Sequence, residues 1–138
     1  MKAESDRYLA KARLTLAHAE TMLRVGLTED AGRAAYLAGY HAARALIFER
    51  NGSATKTHRG AQSEFARLAR AEPGIDDDLR RFLPRTYDLK AVCDYELGPD
   101  AVVPHEQGEA AIQEAVRFIP CIAMLLAAES ERPAGLLD

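Results

Sequence analysis

The chain has 138 residues, 48% of them apolar and 28% charged, so it is long enough for one globular domain and too apolar for a disordered chain. Its formal net charge of −3 argues against a strongly basic DNA-binding surface. Fourteen of its eighteen cationic residues are arginines, which bind phosphate through paired hydrogen bonds. Local binding of a nucleotide or of RNA phosphates therefore stays open.

The first two predicted helices span about residues 5–25 and 29–50. Ser5 and Thr28 are expected to cap their N-termini, and Gly26 is expected to end the first helix. An apolar stripe at helical spacing marks the core side of the first helix: Tyr8, Ala12, Leu16, Ala19 and Leu23. Alanine and glycine occupy nearly every side of the second helix, which is typical of a central helix. Asn51-Gly52 is a strong stop signal.

A loop over residues 52–56 leads to a third predicted helix, about 57–71, which turns Ala61, Phe65 and Leu68 inward. The fourth helical segment spans about 76–97. Because Pro84 lies inside it, we expect either a short turn followed by the main helix or a kink.

After a loop over residues 98–103, a fifth helix is predicted over about 104–129, bent at Pro120. Residues 130–138 are expected to form a flexible C-terminal tail. The predicted fold is all-α: one domain over residues 1–129, an antiparallel up-and-down bundle of four to five helices. A repeat array is disfavoured, because the sequence shows no internal repeat.

Cys93 and Cys121 lie in apolar-periodic segments without CxxC spacing, so two reduced, buried thiols are expected. The charged N-terminus is unlike a signal peptide. The most apolar run, 118–128, is too short to span a bilayer and is interpreted as core. We therefore expect a cytoplasmic protein that makes no membrane contact.

One side of the second helix carries, at helical spacing, Arg33, Leu37, Tyr40, His41 and Arg44, and Tyr36 lies one turn before Tyr40. Either the tyrosines are half-buried core residues whose hydroxyls reach the rim, or these side chains form a polar pocket centred on His41.

The third helix begins with Lys56, Thr57, His58 and Arg59. Three side chains that can be cationic meet free backbone N–H groups there, an arrangement that can hold an anion. The alternative is that Thr57 only caps the helix while the cations stay solvated.

On the fourth helix, Lys90 and Asp94 are four residues apart and can pair. Asp94 also adjoins apolar Val92 and Cys93, so it needs a partner, for which His41 or an arginine of the second helix is suitable.

No metal or cofactor site is predicted. His105 and Glu109 are one turn apart, but the HExxH and paired ExxH patterns of metal sites are absent. The glycine-rich phosphate-binding loops and the GxSxG elbow are absent too.

Three segments, AAYLAGYHAARALIFERNG, KTHRG and YDLKAVCDYE, occur in this order. Together they resemble the HEPN domain family (higher-eukaryote and prokaryote nucleotide-binding domains), and they are most similar to its small stand-alone prokaryotic branch. The resemblance covers roughly residues 5–128. It implies a four- or five-helix bundle, usually a homodimer, and a frequent partner, a minimal nucleotidyltransferase that acts as antitoxin.

For many members the resemblance also implies metal-independent RNA cleavage by an arginine and a histidine near the last core helices. The arginine would stabilise charge on the phosphorane, and the histidine would act as general acid or base. In this sequence Lys90 stands at the arginine position, and Asp94 and Tyr95 stand at the histidine position. The motif is therefore degenerate, and a binding role stays open beside a ribonuclease.

The leading hypothesis is a toxin-side component of a toxin–antitoxin or defence pair that binds RNA or a nucleotide. The alternatives are a non-catalytic homodimeric module that docks a nucleotidyltransferase and, more weakly, a metal or cofactor carrier. The hypothesis requires three helices to converge on one polar cleft. Its candidate catalytic residues are His41, His58 and Asp94, and its candidate binding residues are Tyr40, Arg44, Lys56, Arg59, Lys90 and Tyr95.

Overall fold

A computed structural model of the chain describes residues 1–95, 97 and 102–130. The helices in chain order are α1 (Ala3–Arg24), α2 (Thr28–Asn51), α3 (His58–Arg70), α4 (Asp77–Arg80), α5 (Phe82–Tyr95) and α6 (His105–Ser130). Within the described ranges there is no β-strand, and the predicted all-α helical bundle is confirmed. Residues 131–138, the bulk of the predicted tail, and 98–101 of the predicted loop lie outside the described residues.

The central position predicted for the second helix is confirmed. Helices α1, α3, α5 and α6 all pack on α2. Small residues line α2 on every side that faces a neighbour, with at most 7% of each exposed: Ala31, Ala34, Ala35, Ala38, Ala42, Ala43 and Ala45. Short side chains let four helix axes approach one helix closely, so α2 organises the bundle.

Glycine ends α1 and α2 as predicted. Gly26 has a φ of 85° and donates its N–H to the carbonyl of Leu23, while Leu27 donates to Met22. This pair of bonds is the Schellman motif, which uses the left-handed conformation that glycine adopts freely. Gly52, with a φ of 74°, ends α2 in the same conformation.

The predicted caps Ser5 and Thr28 are wrong. Helix α1 begins at Ala3, and Ser5 is fully buried within its first turn. A tertiary contact replaces the cap, because the backbone N–H and Nζ of Lys2 donate to Glu49 of α2 at 2.9 and 2.7 Å. Thr28 is the first helical residue of α2 rather than its cap, since the turn after α1 leads directly into the helix.

Pro84 follows the first of its two predicted alternatives. A single turn, α4, is capped by Asp76, whose carboxylate accepts the N–H of Leu79 at 2.9 Å. Helix α5 then starts at Phe82, which places Pro84 in its first turn, where the missing N–H leaves no intrahelical bond unmade.

Helix α6 supplies much of the core. Phe118 stacks on Phe82 with ring centroids 4.8 Å apart and meets Phe65 edge-on at 5.3 Å. By length and composition alone α6 could cross a membrane, but core helices pass the same test. Its buried stripe packs against α1, α2 and α5, as expected for a core helix: Ala111, Ala115, Phe118, Ile119, Ile122 and Leu126.

Candidate functional site

His58, the first residue of α3, lies among three tyrosine rings from α2 and α5. Its ring centroid is 4.4 Å from that of Tyr40, 5.6 Å from that of Tyr36 and 5.8 Å from that of Tyr87. Thr57 caps α3 by accepting the N–H of Gly60 at 2.9 Å, so the helix start that carries His58 is fixed locally. The predicted meeting of the second and third helices is therefore observed.

One hydrogen bond ties His58 to the core. The hydroxyl of Tyr36 lies 2.8 Å from Nδ1 of His58. The Tyr36 side chain is fully buried, and this burial raises its pKa far above the ordinary tyrosine value. Burial, with help from the charges of Lys90 and Arg44, lowers the pKa of His58. Both rings are therefore neutral at neutral pH.

His41 adjoins this cluster on α2. Its ring centroid is 5.7 Å from that of Tyr40. Burial is the main cause that lowers the pKa of His41 to about 4, and the charges of Lys11, Arg44 and His58 act in the same direction. Within the described part of the chain, its buried Nδ1 has no hydrogen-bond partner. His41 is thus a neutral imidazole with an unused ring nitrogen.

Arg44, one turn after His41, is held between two aromatic rings. Its guanidinium carbon lies 4.6 Å from the centroid of the Tyr8 ring of α1 and 5.3 Å from that of Tyr40. These are cation–π distances, and they hold the planar guanidinium in place.

No carboxylate pairs with Arg44 among the described residues, and its buried Nε lacks an acceptor there. The other two half-buried arginines of the described chain face acids: Arg50 lies 2.7 Å from Glu72, and Arg80 lies 3.4 Å from Asp77. A half-buried cation normally has a counter-charge. Arg44 therefore presents an unpaired positive charge beside two neutral histidines.

The third predicted catalytic residue, Asp94, is placed differently. Its carboxylate lies 2.5 Å from Nζ of Lys90 and 3.0 Å from Nε of Arg33. The expected partner from the second helix is thus Arg33, and His41 does not contact Asp94. Asp94 clamps α5 to α2, and a carboxylate that already binds two cations is a poor base.

The remaining predicted binding residues lie around this cluster. Lys90 reaches over the Tyr87 and Tyr95 rings, with Nζ 5.9 and 5.8 Å from their centroids. Tyr95 itself is 75% exposed. Lys56 and Arg59 are exposed at the start of α3. They can supply long-range charge, and no contact of theirs with the tyrosines is observed.

Two contributors from α1, Tyr8 and Lys11, were missed. Tyr8 was interpreted as part of the core stripe, which it partly is. The available signal is their spacing, because an aromatic residue and a lysine three apart share a helix face.

Neither thiol is activated for chemistry. Cys93 and Cys121 are half-buried rather than fully buried as predicted, and their Sγ atoms donate to the carbonyls of Glu29 and Gly74 at 3.4 and 3.3 Å. Burial raises the pKa of both thiols. A raised pKa disfavours the nucleophilic thiolate.

No cluster of three or more metal-ligating side chains occurs in the ranges that the structure describes. His105 and Glu109 form an exposed pair, with Nε2 and Oε2 3.6 Å apart, at the start of α6.

Comparison with known proteins finds a family model and a solved structure to which this chain is similar. A family model described as "HEPN domain" matches residues 5–125. A crystal structure of TT1696 from Thermus thermophilus superposes with a TM-score of 0.72 and 22% identity, covering 89% of this chain and 98% of that one. At this identity the likeness shows a shared fold alone. The curated proteins include no match to this chain.

Proposed function

Since this chain belongs to the HEPN domain family, we propose that it binds phosphate groups of RNA or of a nucleotide at a patch formed by His41, Arg44 and His58. We call these three residues the Arg44 patch. In this proposal the protein is the cytoplasmic, toxin-side component of a toxin–antitoxin or defence pair. It acts as a homodimer, and its partner is a minimal nucleotidyltransferase.

The observation that carries the proposal is the unpaired charge of Arg44. A guanidinium held between Tyr8 and Tyr40 has its position set before a ligand arrives. Such a group can donate two parallel hydrogen bonds to phosphate oxygens without first leaving a carboxylate. Lys11 and Lys90 add positive potential: burial is the main cause that lowers the pKa of His41 and of His58, and the charges of Lys11 and Lys90, respectively, act in the same direction.

Metal-independent RNA cleavage would need a base and an acid near the bound phosphate. The base would take the proton of a ribose 2′-hydroxyl as its oxygen bonds to phosphorus, and the acid would protonate the departing 5′-oxygen. The product ends would be a cyclic phosphate and a hydroxyl. A neutral His41 can serve as base, and Arg44 can stabilise the phosphorane charge.

A second candidate is a non-catalytic module that docks the nucleotidyltransferase partner. It is favoured by the contacts at the degenerate motif, where Lys90 and Asp94 neutralise each other and Arg33 completes the cluster. In this alternative the polar residues of α5 only hold helices together.

The test compares RNA binding and RNA cleavage by matched arginine variants. Fluorescence anisotropy with a labelled single-stranded RNA should show Arg44→Met weakened about tenfold or more, because a charge-assisted hydrogen bond is lost. Arg70→Met is the control, since Arg70 is exposed at the far end of α3. Equal affinity of the two variants would remove the patch as the binding site.

Cleavage is measured separately, with chelator present. Conversion of RNA by the wild type and its loss in His41→Ala would support the nuclease form. If both proteins leave the RNA intact, the proposal is reduced to RNA binding without cleavage. Co-purification with a co-expressed nucleotidyltransferase from the adjacent gene would then support docking, and its failure would count against that partner.

A further inference from the structure

The hydrogen bond between Tyr36 and His58 has a defined donor and a defined acceptor. One group lies against the Tyr36 oxygen at a measured hydrogen-bonding distance, Nδ1 of His58 at 2.8 Å. A neutral imidazole has one ring nitrogen without a proton, and that nitrogen can accept the phenol O–H. The phenol O–H is then free to donate to Nδ1.

Burial makes the reverse hydrogen bond, in which Nδ1–H of His58 donates to the phenol oxygen of Tyr36, costly. A fully buried Tyr36 keeps its proton, and that proton needs an acceptor. The rings of Tyr40 and Tyr87 cover its surroundings at centroid distances of 5.9 and 5.3 Å. Among the described residues, His58 Nδ1 is the one hydrogen-bond partner resolved for this hydroxyl by distance.

We infer that Tyr36 is a positioning residue that holds His58 in the tautomer with its proton on Nε2. His58 then meets an oxyanion as an N–H donor at Nε2, while Nδ1 is occupied and cannot act as a base. On His41, by contrast, it is the buried Nδ1 that has no protein partner within the described part of the chain. The structure thereby divides the roles: His58 donates to phosphate, and His41 takes up a proton.

The tautomer assignment stands without a ligand, whereas the role toward phosphate rests on the proposed function. His58 has no second hydrogen bond to the described protein, so Nε2 is its remaining polar group. An imidazole without a partner at Nδ1 exchanges its proton between both nitrogens. Removing the Tyr36 hydroxyl therefore changes which nitrogen carries the proton, which a merely space-filling ring would not do.

Two-bond ¹H–¹⁵N correlation NMR of uniformly labelled protein at pH 7 tests this directly. The wild-type spectrum should show His58 with an unprotonated Nδ1 and a protonated Nε2. Tyr36→Phe should shift both nitrogens toward the averaged values of a mixed tautomer. Tyr87→Phe is the matched control, because its ring also contacts His58, 5.8 Å between centroids, and it should leave the tautomer unchanged.

A wild-type His58 protonated at Nδ1 or averaged between both nitrogens overturns the inference, and this reading needs no variant to fold. An unchanged spectrum in folded Tyr36→Phe overturns it as well. RNA affinity should fall about three- to tenfold in Tyr36→Phe, as expected for one misdirected hydrogen bond. A shifted tautomer in a protein that binds no RNA would sink the proposed function and leave the positioning role intact.

Discussion

Gly39 of α2 lies against the ring of Phe82 of α5 so closely that a Cβ at residue 39 would be 2.1 Å from Cε2 of that ring. Phe82 cannot retreat, because it is fully buried and stacks on Phe118. This close approach seats α5 on α2. Tyr87, five residues further along α5, is thereby placed beside His58.

Gly39→Ala should destabilise the protein by about 1–3 kcal/mol, the usual cost of overpacking a core, even though alanine favours the helix more than glycine does. Gly32→Ala is the matched control on the same helix. Its Cβ would meet Cδ2 of Leu89 at 2.8 Å, the end of a flexible side chain that can rotate away. Urea denaturation measures both, and equal stability of the two variants would show that Phe82 yields.

The low pKa of His41, about 4 against an ordinary 6.5, makes the fold sensitive to acid. Between these two values the unfolded chain binds more protons than the folded one, so stability falls as the pH drops from about 7 to 4. From pH 7 to pH 4, the free energy of unfolding of His41→Gln should fall by about 1–2 kcal/mol less than that of the wild type. This figure allows for solvent screening at a half-buried site.

Urea unfolding at several pH values between 7 and 4 measures this difference. The exposed His18→Gln provides the control and should follow the wild-type curve. A wild type and a His41→Gln variant with parallel pH dependence would mean that His41 charges freely in the folded state.

Arg50 links three parts of the bundle. At the end of α2, its guanidinium pairs with Glu72, beyond α3, and with Glu129 of α6, and all three side chains are less than one-third exposed. Arg50→Met should cost about 1–3 kcal/mol, because two partly buried carboxylates lose their cation. Arg70→Met should change stability little, since Arg70 is exposed. Thermal or urea unfolding compares the two, and a harmless Arg50→Met would show that the network contributes nothing.

Local signals predicted the helices and several of their ends. Glycine at residues 26 and 52 marks two ends through its left-handed conformation, and Pro84 marks the start of α5. Apolar periodicity identified the buried side of α1 and of α3, and the density of alanine identified α2 as central. These features were readable because they depend on residues within one or two turns of each other.

The candidate site was predicted only in part. Tyr40, His41 and Arg44 share one helix, and His58 from the turn that follows lies against Tyr40. For Asp94 the sequence left the partner open between His41 and an arginine of the second helix. The observed partner, Arg33, depends on how far α5 is rotated about its axis.

Long-range contacts were decided by the tertiary structure alone. Lys2 replaces a predicted cap by reaching Glu49, 47 residues away, and Tyr36 finds His58 22 residues away. Periodicity determines which side chains share a helix face, but the rotation and crossing of the helices determine what that face meets. Rotation and crossing follow from packing the whole core at once, down to the single missing Cβ of Gly39 against Phe82.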